Sequence, residues 1–383
     1  MLYRSSTAQA IGMSRRHFLH SIVGTGAATT LFSAAPLRAL QMERSRRVVV
    51  VTFGGGARDE ETFAPEGQQN IPHLLGELVP QGTFFSQVIN QGILGHYVAT
   101  ASIVTGVYET FNNFALTPPQ NPTIFEYFRK ALSRRADDAW VVAPSNGFNC
   151  IGASSARSFG PDFGARIVLP KHLLSAALGT QDRKTDINHL LRDNYESPIP
   201  EAVSIDPSKL DRIAELLNLS FSEFASHAMS LASPDELSVF IARQLMKQLA
   251  PTLLWITLHD IDVAHSGAYS LYIDGIRRSD RLCADLWHAI QELPEYAGRT
   301  ALFILPDFGR DSDFSATGNG FQHHRSGDAL SRTTWMLALG PGIRQNVVVD
   351  RPVDSLDLVP TLGKMLGIAT PRAAGAPLLE VLR

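Results

Sequence analysis

The chain has 383 residues, enough for one large domain or two ordinary ones, and its 44% apolar and 19% charged residues exclude a disordered chain. The formal net charge is −3, and residues 1–39 hold four arginines and no acidic group, so 30 basic side chains (34 less 4) face 37 acidic ones in the remainder. An acidic protein with no long Lys/Arg run is a poor binder of nucleic-acid backbone. Two cysteines, Cys150 and Cys283, exclude a disulfide framework and a Cys-rich zinc site, and leave open one disulfide or two separate thiols.

In chain order, Ser14-Arg15-Arg16-His17-Phe18-Leu19 resembles a twin-arginine export signal. A weakly apolar stretch from Phe18 to Ala35 follows, then small residues at Ser33-Ala34-Ala35 and around Leu37-Arg38-Ala39. Basic start, apolar middle and small-residue end are the grammar of a signal peptide, so residues 1–39 are expected to direct the chain to the periplasm or outside. The stretch is too short and polar for a membrane span, and no integral span is expected after its removal. No cysteine near the cleavage point suggests a lipid anchor.

Residues 47–53 are a continuous β-branched run, the pattern of a strand covered on both faces, broken by Gly54-Gly55-Gly56. The pattern predicts a helix over 70–78, a strand over 83–89, a helix over 98–105 closed by Gly106, a helix over 123–132 and a strand over 139–142. Residues 150–205 lack periodicity and read as an irregular insertion or cap. Residues 207–249 read as three helical pieces broken near Asn218 and Pro234. Strands over 253–258, 300–305 and 334–339 alternate with helices over 268–293 and 354–366. This alternation implies an α/β fold with a doubly wound, mostly parallel sheet and helices on both faces. It fits one domain over 40–383 with an insertion at about 150–250, its ligands at the carboxyl ends of the strands.

Four stretches between about residues 47 and 380 resemble the alkaline phosphatase superfamily of metal-dependent phosphatases, phosphodiesterases, phosphomutases and sulfatases. They are the opening strand with Asn70-Ile71-Pro72-His73-Leu74 and Gly82-Thr83-Phe84-Phe85, and Ala99 to Tyr108 with its Val104-Thr105-Gly106-Val107-Tyr108. Next come Asp260 to Gly267 with Pro306-Asp307-Phe308-Gly309-Arg310 and Gln322-His323-His324. The last is Asp357-Leu358-Val359-Pro360-Thr361-Leu362 with Leu366-Gly367-Ile368 and Gly375-Ala376-Pro377-Leu378.

The resemblance implies two divalent metals at the strand ends, one of them beside a Ser, Thr or formylglycine nucleophile. Carboxylates and imidazoles suit zinc or manganese. For the first metal it implies Asp262 and His265, spaced by three where the family has four, with Asp260 as the rival carboxylate and either His323 or His324 as the later imidazole. The second site is impaired, because its early Asp falls at Phe53 or Gly54 and its Asp-His pair reads Asp307-Phe308. One metal is therefore expected rather than two. His96 falls at the nucleophile's position, where it can be phosphorylated or act as a ligand. Asp59, Glu60 or Glu61 can supply a displaced carboxylate. A Cys-x-Pro-x-Arg motif is absent, which argues against sulfatase-type formylglycine. Arg58 and Arg310 flank the crevice, where each can bind an anionic substrate group or pair with Asp59 or Asp311. His73, His172, His189, His227 and His288 read as packing residues.

Two functions follow. One is hydrolysis or transfer of a phosphate or sulfate ester, with a small anionic ester as substrate. The other is a non-catalytic exported protein that binds an anionic glycan or a partner protein. A purely structural role is a third option.

Overall fold

The computed structural model describes residues 46–178, 190, 207–313 and 319–382. The signal-peptide expectation and His189 lie outside them.

Arg47–Phe53 forms β1, and its burial explains its composition. Val48 and Val50 face one core, while Val49, Val51 and Phe53 face the other. Side chains alternate along a strand, so a strand covered on both sides must be apolar at every position. Each fully buried valine contributes roughly 1.5–3 kcal/mol.

Among the described residues nine strands form one sheet: β1, β2 (Gly82–Ile89), β3 (Ala139–Val142), β4 (Arg166–Val168), β5 (Leu253–Leu258), β6 (Thr300–Pro306), β7 (Thr333–Leu339), β8 (Val347–Val349) and β9 (Val353–Asp354). The order is β4-β3-β5-β1-β6-β7-β2-β8, with β9 also on β2. Every pairing is parallel except those of β7, which runs against β6 and β2. The helices, in chain order, are α1 (His96–Thr105), α2 (Ile124–Ala131), α3 (Pro170–Leu178), α4 (Pro207–Leu216), α5 (Phe221–Ala228), α6 (Pro234–Gln248), α7 (Tyr269–Glu292), α8 (Ala329–Arg332) and α9 (Leu358–Leu366). Residues of α3, α5, α6 and α7 join the core on one face of the sheet, while α1, α2 and α9 join the core on the other. This is the expected doubly wound, mostly parallel sheet.

The register places the functional loops. Phe53 of β1 lies level with Leu258 of β5 and with Pro306 of β6. The three central strands therefore end in one row, and the loops starting at Gly54, His259 and Asp307 leave side by side.

Some elements differ from expectation. The 70–78 helix carries a π-type turn over Leu74–Leu78. Residues 150–205 contain β4 and α3, and β8 and β9 were not predicted, because strands of two or three residues are too short to show a period. Cys150 and Cys283 are separate thiols. Among the described residues no helix is long and apolar enough to cross a membrane.

Candidate metal centre

Beyond β5 the chain turns into a 3-10 helix, Asp260–Ser266. Such a helix has three residues per turn, so side chains at i and i+3 eclipse. This explains the spacing of three between Asp262 and His265: both project from one face, with the His265 Nε2 3.2 Å from the Asp262 Oδ1. The same face carries His259, one turn earlier, with its Nε2 3.4 Å from the Asp262 Oδ2. His259 was overlooked in the sequence, although His259-x-x-Asp262-x-x-His265 is a regular repeat of three. Asp260 points the other way and bonds the Arg278 Nη1 at 2.7 Å, so it is no rival carboxylate in this cluster.

His96 opens α1. Asn113 accepts hydrogen bonds from the backbone N–H of Tyr97 (3.0 Å) and Val98 (3.3 Å), which caps the helix from a distant loop. Gly95 is required there, because a Cβ would lie 2.7 Å from the Asn113 Cγ. The His96 ring lies between two carboxylates: Nε2 is 3.0 Å from the Asp262 Oδ1, and Nδ1 is 2.8 Å from the Asp307 Oδ2. With both nitrogens facing carboxylates, neither is free to attack an ester.

The late histidine comes from the turn after Gly320–Gln322. His323 is extended, at φ −129° and ψ 159°, so successive side chains alternate in direction. His324 faces the site, with its Nε2 2.9 Å from the His265 Nε2. His323 stands outside the cluster. Its backbone carbonyl accepts from the Asp311 N–H at 2.9 Å.

One ligand atom from each of His96, Asp262, His265 and His324 lies within 4.8 Å of the other three. Three imidazoles and a carboxylate are a zinc-type donor set, whose tetrahedral edges are about 3.3 Å for bonds of about 2.0 Å. Three of the six separations, 3.0, 3.2 and 2.9 Å, fall close to that, and all six lie within 4.8 Å. The His96 Nε2 is buried and has no hydrogen-bond partner of good geometry.

Asp307 is not in this set, contrary to its assignment as a ligand from the sequence. Its Oδ2 holds the His96 Nδ1, while its Oδ1 accepts from the N–H of Gly55 (3.2 Å) and Phe308 (2.9 Å). A carboxylate on the far nitrogen of a histidine fixes the tautomer that leaves the other nitrogen free for a metal. The Phe308 ring stacks on His96 at 4.8 Å and 21°.

The two arginines face inward. Arg310 is 1% exposed and bonds the Gly56 carbonyl (Nε, 2.7 Å), the Phe321 carbonyl (Nη1, 3.1 Å) and the Asp262 Oδ1 (Nη2, 3.0 Å). Arg58 is held by Glu61 and by the Asp313 Oδ1 at 2.6 Å, and Glu61 also accepts from the Tyr272 hydroxyl. Buried charges must be paired, and these two are paired within the protein rather than offered to a ligand. Neither pairs with Asp59 or Asp311 as expected, and Glu61 is not a replacement ligand.

The protonation states follow from the packing. Burial pulls the His96 imidazole down, but the charges of Asp262 and Asp307 outweigh it and push the pKa up to about 10. For His324 burial dominates, with His96 and Arg310 nearby, and the pKa is pushed down to about 2. Burial raises the Asp262 carboxyl, yet the facing His96 and the other histidines hold it well below the usual carboxylate range. An ionised Asp262 and a neutral His324 are the forms a cation needs, whereas His96 is protonated without a cation and would have to release its Nε2 proton to become a ligand.

No family model matches the chain, and no curated protein matches it in sequence. Solved structures do match, and they place the chain in the fold of the alkaline phosphatase superfamily. The wild-type alkaline phosphatase PafA shares 12% identity at a TM-score of 0.55, covering 92% of this chain and 100% of that one. A protein of the superfamily from Vibrio parahaemolyticus shares 15% at 0.54, covering 89% and 71%. The phosphonate monoester hydrolase SpPMH from Silicibacter pomeroyi shares 14% at 0.52, covering 87% and 76%.

Proposed function

We propose that this chain is a metal-dependent hydrolase or transferase of phosphate or sulfate esters that works with one divalent cation, zinc or manganese. The observation that carries the reading is the convergence of His96, Asp262, His265 and His324 from three separate chain segments at the ends of the central strands. The bound cation would polarise an ester oxygen and favour ionisation of an attacking water or alcohol. Asp307 faces the His96 Nδ1 and would hold the proton there, leaving Nε2 as the nitrogen that a cation takes. Arg310 fixes Asp262 and ties the Gly56 and Phe321 loops into one wall. Once His96 has given up its Nε2 proton, two carboxylates against one guanidinium leave a formal charge of −1, which suits one divalent cation. The neutral Gly54 and Phe308 add no charge to hold a second.

The export signal would place this activity in the periplasm or outside the cell. The test is metal analysis of protein purified without chelator, together with turnover of an aryl phosphate, a phosphodiester and an aryl sulfate. One equivalent of metal and a turnover abolished by His265→Ala support the reading. No metal and no turnover overturn it.

The Phe308 stacking and the absence of a side chain at Gly54 favour a second reading, a non-catalytic descendant that binds an anionic glycan or a partner protein. Metal binding without turnover of any ester is its expected signature, and an esterase activity lost on His265→Ala eliminates it.

A further inference from the structure

Among the described residues His259 is a further imidazole of this crevice, one that the four-atom cluster does not use. Its side chain is 10% exposed, and its Nε2 is buried without a hydrogen-bond partner, 3.4 Å from the Asp262 Oδ2. Its place is built. Its backbone N–H is gripped by both oxygens of the fully buried Asp235, at 2.7 and 2.9 Å. Its ring meets His96 edge-on at 5.3 Å and Phe148 at 5.7 Å. It fills the space beside Gly54, where an added Cβ would lie 2.8 Å from the His259 Cδ2 and 3.0 Å from the Phe148 Cζ.

We infer that His259 is a positioning residue for the metal centre: its Nε2, 3.4 Å from the second oxygen of Asp262, stands against that oxygen, so that the carboxylate presents Oδ1 to the cation. This rests on the single-cation reading above. Among the described residues His96, His265 and Arg310 approach Oδ1 of Asp262, while His259 approaches Oδ2. Partners of ligating groups that themselves never touch the metal commonly set its affinity. The missing side chain at Gly54 then has a purpose of its own, because any larger residue there displaces the His259 ring.

The experiment is zinc titration of the metal-stripped full chain, by calorimetry or by competition with a chromophoric chelator, for the parent, His259→Ala, His259→Gln and Gly54→Ala. His259→Ala is expected to weaken zinc roughly 10- to 100-fold. His259→Gln, which carries an amide at the height of Nε2, should stay within a few-fold of the parent. Gly54→Ala should weaken zinc although Gly54 ligates nothing, and combining it with His259→Ala should add little further loss. Far-ultraviolet dichroism and melting of the stripped proteins separate misfolding from weakened binding. A parent that binds zinc with His259→Ala equal to it overturns the inference and leaves the cation reading standing. A parent that binds neither zinc nor manganese overturns both.

Discussion

Arg310 concentrates several roles in one side chain. It is fully buried and joins three loops that are far apart in sequence, through Gly56, Asp262 and Phe321. Truncation would leave a buried carboxylate and two buried carbonyls without their donor. Breaking a buried charge pair from one side costs about 3–5 kcal/mol, far more than loss of a surface pair. Arg310→Ala is therefore expected to lose at least about 3 kcal/mol in urea denaturation, and a loss below about 1 kcal/mol would remove Arg310 from the wall of the site. Arg351, whose pairing with Glu380 lies at the surface, gives the contrast. Arg351→Ala should change stability by less than about 1 kcal/mol in the same assay.

At the scale of elements, caps decide where helices begin, and two of them use buried carboxylates or hydroxyls. Thr123 and Glu126 form a reciprocal capping box at the start of α2. Thr123→Ala should cost about 1 kcal/mol by equilibrium denaturation. Asp280 of α7 caps the turn at His73 and Leu74, taking their N–H groups at 3.1 and 2.6 Å. Burial outweighs those bonds and raises its pKa from 3.8 to about 6. Between those values the folded protein holds a proton that the unfolded chain has released. Its contribution to stability is therefore greatest at low pH and falls as pH rises through the window from about 4 to 6, the reverse of a salt-bridged carboxylate. The loss is roughly 3 kcal/mol. Asp280→Asn should flatten that part of the stability profile, read as the parent-minus-variant difference in urea midpoints between pH 4 and pH 7. A difference independent of pH would show that Asp280 does not titrate as argued.

For the molecule as a whole, the sheet was legible because its central strands are buried on both faces and so read as unbroken apolar runs. The short edge strands β4, β8 and β9 carry no such signal. The site was half legible. The resemblance implied Asp262 or Asp260, His265 and one of His323 and His324, and the structure brings Asp262, His265 and His324 together with His96. Asp307 and Arg310 lie behind them, on His96 and Asp262, an arrangement that spacing does not reveal. The 3-10 turn that aligns His259, Asp262 and His265 explains the spacing of three, but a turn of seven residues shows no period in sequence. Joining all these segments at one cation has a thermodynamic consequence. His96, Asp262, His265 and His324 come together only in the folded chain, so a cation that binds them stabilises folding by RT ln(1 + [L]/Kd), about 2.7 kcal/mol at a hundredfold excess over Kd. Melting should therefore move up by a few degrees when zinc or manganese is added to stripped protein and return with EDTA. His265→Ala should abolish the response while keeping the melting point of the stripped parent within a few degrees. If parent and variant respond alike, the cation is binding elsewhere, and the four residues are a hydrogen-bonded cluster at the heart of the crevice.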